Sequence, residues 1–135
     1  MYLIFDNLSS ENIYLALADQ KKILSEKMAP VERRHGEVAL IAINNFLRKN
    51  KVKPTAIKAL VVNIGPGQYT KVRLAVLIAN TWAYILNIKL YGIKKQYFLN
   101  PNMLLKKMST IKPLSQIEPF YAAEPTITKS KKKYA

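Results

Sequence analysis

No cysteine occurs in the chain, which excludes disulfides, cysteine-ligated zinc and iron–sulfur clusters. His35 is the only histidine, so an imidazole-rich metal site lacks ligands, and neither a metal nor a cofactor is expected. Acidic residues are scarce: residues 38–117 contain none, while the same stretch carries thirteen Lys and Arg. Uninterrupted apolar runs never approach the eighteen or so residues of a membrane span. The N-terminus also lacks the basic-then-apolar pattern of a signal peptide, so a cytoplasmic protein without a membrane partner is expected.

What is present suffices for a core. Half of the 135 residues are hydrophobic, which argues for one compact domain over a disordered chain. The net charge of +14 is unevenly placed, because residues 1–20 hold Asp6, Glu11 and Asp19 and no base. Such an imbalance attracts anions, and RNA or a partner with an acidic face is the natural counterpart. A basic protein with no specific anion site fits the composition equally well.

The pattern along the chain predicts strands at 2–5, 13–18 and 21–24, the last two joined as a hairpin. A helix follows over 34–49, closed by Asn50 with Pro54 beyond, then a buried strand at 59–64. A glycine-bracketed turn leads into a helix over 70–86 capped by Thr70, and a strand at 89–93 ends the regular pattern. Strands joined through helices pair in parallel with right-handed crossovers. The order therefore predicts an α/β fold, an actin-like ATPase (ribonuclease-H-like) half-domain with a mixed sheet of about five strands and two main helices. Beyond Lys94 the prolines at 101, 113, 119 and 125 break any long helix, although residues 103–108 fit one or two turns. The expected organisation is a domain over 1–95, an irregular segment over 96–128 packing on it, and a basic flexible tail over 129–135.

The turn carries a signature. Gly65-Pro-Gly-Gln-Tyr-Thr-Lys-Val-Arg73 resembles the Gly-Pro-Gly-Ser-Phe-Thr-Gly-Leu-Arg motif of the TsaB (YeaZ) family, which helps make threonylcarbamoyladenosine in tRNA. Glu32-Arg-Arg-His-Gly-Glu37 is similar to that family's Arg-x-His-Ser-Glu, and residues 1–6 resemble its opening strand. Ile117-Glu-Pro-Phe-Tyr-Ala-Ala-Glu-Pro125 is similar to its C-terminal Pro-x-Tyr segment. The resemblance covers roughly two thirds of the chain. Gln68, Tyr69 and Lys71 depart from the motif, Asp6-Asn7-Leu8 departs from the family's Asp-Thr-Ser or Asp-Thr-Ala, and the space for its second domain is short.

Candidate chemistry is sparse. Gly65, Pro66, Gly67 and Thr70 precede a helix N-terminus and could hold an anion. The turn lacks the length and the Lys-Ser or Lys-Thr ending of a Walker loop, so the balance favours a structural turn. Asp6 could hold magnesium through water, as the matching aspartate of actin-like ATPases does, but no glycine follows it to admit phosphates. A polar strand end is the favoured reading. His35 has no partner for base or metal chemistry, and no motif supplies Ser9 or Ser10 with a triad.

The helices carry more information. At 100 degrees per residue, Ala39, Leu40, Ala42, Ile43, Phe46 and Leu47 share one face, leaving Val38 and Ile41 outward. On the second helix the apolar residues span roughly 240 degrees, wider than the roughly 100 degrees that a sheet-packed helix needs. In the TsaB family these helices pack against those of the TsaD subunit. The resemblance thus implies an interface of Val38, Ile41, Asn45, Arg73, Leu77, Thr81 and Tyr84, on a non-catalytic scaffold pairing with a TsaD-like transferase. It further implies a TsaE-like ATPase as an additional partner and tRNA reached through the complex. Pairing with a second copy through the same faces is also open. Lys129, Lys131, Lys132 and Lys133 are candidate RNA contacts, and a stand-alone basic RNA-binding module is the alternative function.

Overall fold

The computed structural model describes residues 1–8, 12–30 and 35–120, with only the backbone for residues 35–38. Ser9, Ser10, the tail lysines 129 and 131–133, and the side chains of His35 and Val38, all singled out above, lie outside the described residues. So does part of each family-like segment at 32–37 and 117–125.

Five strands form one mixed sheet in the order β3-β2-β1-β4-β5. β1 (Tyr2–Asp6), β2 (Asn12–Ala18) and β3 (Ile23–Pro30) form an antiparallel meander. β4 (Ala59–Asn63) and β5 (Lys89–Ile93) then extend the sheet in parallel from β1. The two crossovers that parallel pairing requires are α1 (His35–Lys49) and α2 (Tyr69–Leu86). β4 is buried at all five positions, as its Ala-Leu-Val-Val run demands of a central strand covered on both faces.

α1 and α2 lie over the same sheet face. Ala39, Ile43, Phe46 and Leu47 of α1 and Ala75, Val76, Ile78, Ala79 and Ala83 of α2 share one core with Leu3, Phe5, Leu60 and Val62. The alternate residues of those strands, Ile4 and Val61, face the other way and pack with Leu104, Leu105 and Met108 of a third helix, α3 (Pro101–Met108). The result is helices on both faces of the sheet.

Three local expectations are corrected, and the turn or two expected over 103–108 forms as part of α3. The third strand runs Ile23–Pro30 and not over 21–24, because its exposed edge position needs backbone pairing to β2 but no apolar alternation. Pro101 opens α3 within its first turn, where its missing N–H costs nothing, and Asn100 accepts Met103 N at 2.9 Å as the cap. The helix cap at 70 is also displaced. Val72 N donates to Gln68 O at 2.9 Å, so α2 begins at Tyr69, and exposed Thr70 lies inside its first turn without capping it. Finally, Leu40 is 48% exposed, since it sits on the shoulder of α1's buried arc and not at its centre.

Candidate functional site

The parallel pairing of β1 and β4 brings Asp6 and Asn63 side by side at the C-terminal ends of their strands. Asn63 Nδ2 donates to Asp6 Oδ1 at 3.1 Å, and Leu8 N donates to the same oxygen at 3.1 Å. Gly65 N in turn donates to Asn63 Oδ1 at 3.0 Å. Burial pushes the Asp6 carboxyl above its ordinary pKa of 3.8, outweighing those two hydrogen bonds and the attraction of Lys95. The backbone N–H that a phosphate would seek at Gly65 is already occupied, and Gly67 backs onto Leu8. Among the described residues no group of three His, Cys, Asp or Glu could hold a metal ion.

Gly65 is required by its surroundings. Its φ of 107° lies in the region that favours glycine, and a Cβ there would stand 2.6 Å from the Phe120 carbonyl oxygen. That close approach exists because the chain returns over the turn: Phe120 N donates to Ile64 O at 2.9 Å. Asn80 on α2 fixes the same stretch by donating to Ile117 O and accepting Ile117 N, both at 2.9 Å. The start of the Pro-x-Tyr-like segment is therefore seated against the glycine turn and α2.

Six of the seven residues assigned to the interface are exposed. Arg73, Leu77, Thr81 and Tyr84 stand in solvent on α2, and Ile41 and Asn45 on α1. Leu77 is 63% and Tyr84 89% exposed, and no charged residue occurs in α2 after Arg73. Val38 lies in α1, with its side chain outside the described residues.

Sequence reasoning missed Tyr69 and Ile85, which extend this surface at 56% and 69% exposure. Arg73 Nη1 donates to Tyr69 Oη at 3.1 Å and its guanidinium lies 5.2 Å from the Tyr69 ring centroid. The four-residue spacing of Tyr69 and Arg73 was the available signal, obscured by starting the helix one residue late. Also missed was Asn7, fully buried, whose side-chain nitrogen and oxygen find no hydrogen-bond partner among the described residues.

Comparison with known proteins adds an identity to this geometry. Over 103 residues the chain is 29% identical to an uncharacterized protein of Mycoplasma genitalium, covering 74% of this chain and 53% of that protein. It is 26% identical over 102 residues to the tRNA threonylcarbamoyladenosine biosynthesis protein TsaB of Bacillus subtilis, covering 76% and 44% of the two chains. The chain thus spans about half the length of the curated relatives it matches. In structure it resembles YeaZ from Pseudomonas aeruginosa, with a TM-score of 0.64 at 23% identity over 73% of this chain and 45% of that one, which shows the shared fold. Residues 22–114 match the model of the family described as TsaD, tRNA N6-adenosine threonylcarbamoyltransferase, and the chain therefore belongs to that family as a TsaB/YeaZ-like protein.

Proposed function

We propose that this protein is a non-catalytic scaffold subunit for tRNA threonylcarbamoyladenosine modification, pairing with a TsaD-like transferase through the outer faces of α1 and α2. The observation that carries the reading is the apolar surface of α2, which has no charged residue beyond Arg73. Leu77, Tyr84 and Ile85 stand in solvent on a helix whose opposite side already fills the core, with Ile41 exposed on α1. Burying each such side chain contributes on the order of 1.5 to 3 kcal/mol, so a partner with a matching helix pair gains a substantial driving force.

The scaffold role is supported by the state of the strand ends. Asp6 Oδ1 accepts two hydrogen bonds that hold the turn, and Asn63 and Gly65 use each other's polar groups. These atoms serve the structure, leaving the reacting groups to the transferase. A TsaE-like ATPase would join the assembled pair, tRNA would be engaged through the complex, and the cytoplasm is its place of action. A second copy is the competing occupant of the same helix faces.

Co-expression with the TsaD-like subunit of the same organism tests the pairing, comparing the wild type with Ile41→Asp plus Leu77→Asp. Both positions are exposed, so the variant should fold with an unchanged circular dichroism spectrum yet fail to co-purify. Undiminished recovery of the complex with the folded variant would overturn the assignment.

A further inference from the structure

The far side of the molecule carries a different surface. α3 turns Leu104, Leu105 and Met108 into the core and leaves Met103 and Lys106 exposed, with Lys107 half-buried beside them. Lys94 and Lys95 lie at the start of the 3-10 turn Lys95–Phe98 that packs against α3, and Lys112 follows the helix. Lys107 Nζ stands 4.8 Å from the Tyr97 ring centroid and Lys94 Nζ 4.3 Å from that of Phe120. A ring face orients an ammonium without supplying a counter-charge, so these side chains lose less freedom when an anion arrives. Tyr97, Met103, Lys106, Lys107 and Thr110 enclose a shallow hollow of about 270 Å³. Residues 94–112 hold no carboxylate. Asp6 attracts Lys95 and lies with Glu26 in a separate hollow against Phe98 and Leu104, so the lysines of the first hollow are Lys106 and Lys107.

We propose that this outer face of α3, together with the 3-10 turn before it, binds the phosphodiester backbone of RNA. The proposal rests on the tRNA link in the reading above but not on the pairing with a transferase. A hollow lined by two lysines and no carboxylate is what a phosphate backbone requires. An anionic membrane is disfavoured, because Leu104, Leu105 and Met108 point into the core and leave only Leu99 and Met103 as exposed large apolar side chains here, short of an amphipathic apolar face.

The test uses the full chain and a fluorescein-labelled RNA stem-loop, with binding followed by anisotropy as salt is raised from about 50 to about 200 mM. Lys106→Glu plus Lys107→Glu should weaken binding by about tenfold or more at the lower salt. It should also reduce the slope of log affinity against log salt by about 1.4 to 1.8, from about 0.7 for each loop phosphate to about 0.9 for each stem phosphate that is no longer neutralised. Lys49→Glu plus Lys51→Glu, at the end of α1, should leave binding unchanged. If charge reversal perturbs the thermal melt, Lys106→Gln plus Lys107→Gln supplies the same slope measurement. Binding that is unaffected in the α3 variants overturns the proposal. So does binding lost only with Lys131→Gln plus Lys132→Gln, or a preference for phosphatidylserine vesicles over RNA. Loss of transferase pairing with RNA binding retained would sink the scaffold reading and leave this one standing, and the reverse result would do the opposite.

Discussion

Asn63 joins two elements at once: its Nδ2 donates to Asp6 Oδ1 at 3.1 Å while its Oδ1 accepts Gly65 N at 3.0 Å. One buried amide thereby ties the tip of β1 to the turn that begins α2. Asn63→Leu would fill similar space but strand the Gly65 N–H and half of the Asp6 pairing. A buried polar group left unpaired costs about 1 to 3 kcal/mol, so the urea midpoint should fall accordingly. An unchanged midpoint would mean that the turn is held by packing alone.

Two aspartates should pull stability in opposite directions with pH. Asp6 has a raised pKa because burial penalises its charge, so the folded state holds a proton that the unfolded state releases above 3.8. Stability from this group falls as pH rises through that window. Asp19 is lowered by hydrogen bonds from the backbone N–H groups of Lys21 and Lys22, so its contribution is present above 3.8 and is lost as pH falls through its lowered pKa. Thermal midpoints taken below 3.8 and at neutral pH separate the two. Asp6→Asn should gain on the wild type as pH rises and Asp19→Asn should lose, and matching slopes would contradict the assignment.

The two glycines of the turn should respond unequally to alanine. At Gly65 the positive φ and the Phe120 carbonyl 2.6 Å from the added Cβ act together, and the obstacle is backbone. At Gly67 the nearest atom is Leu8 Cδ1 at 3.2 Å, the end of a flexible side chain. Gly65→Ala should therefore destabilise by more than the ~1 kcal/mol typical of an incompatible glycine replacement, and Gly67→Ala by less. Hydrogen exchange at the Phe120 amide, bonded to Ile64 O, should quicken only in the first variant.

The parts of the fold that were legible are those where sequence pattern and burial coincide. β4 and β5 read correctly because an apolar run or alternation stands on either side of a clear helix, and α1 and α2 because their buried residues recur at helical spacing. β3 did not, since Glu26, Lys27 and Met28 are exposed on an edge strand and leave no buried period to detect. The glycine turn was recognisable as a turn from residues 65–67. Its closure was not: beyond the local bond from Gly65 N to Asn63, it depends on Phe120 against Ile64 and on Asp6 against Asn63, and no local rule joins positions so far apart in sequence. The same holds for Asn80, whose bonds to Ile117 place a helix side chain against a segment 37 residues later.

That distant pairing yields a further expectation. Asn80→Ala removes both hydrogen bonds to Ile117, worth about 0.5 to 1.5 kcal/mol each, while α2 keeps its core packing. The stretch around 117–120 should then become the first site of limited proteolysis. Protection equal to that of the wild type would show that Ile117 packing against Gly92 holds the segment unaided.

Tyr84 separates the cost of folding from the cost of assembly more cleanly than any other exposed residue. At 89% exposure it contributes little to the monomer, so Tyr84→Ala should shift stability by no more than ~0.5 kcal/mol. An aromatic side chain standing beside exposed Ile85, on a helix with no charged residue beyond Arg73, has the character of an interface anchor. If the transferase covers it, the same substitution should weaken pairing by at least about tenfold, or ~1.4 kcal/mol, in a titration calorimetry experiment. If a second copy covers it instead, sedimentation velocity should show a dimer dissociating in the variant while transferase affinity stays constant. The two results assign the face to different occupants.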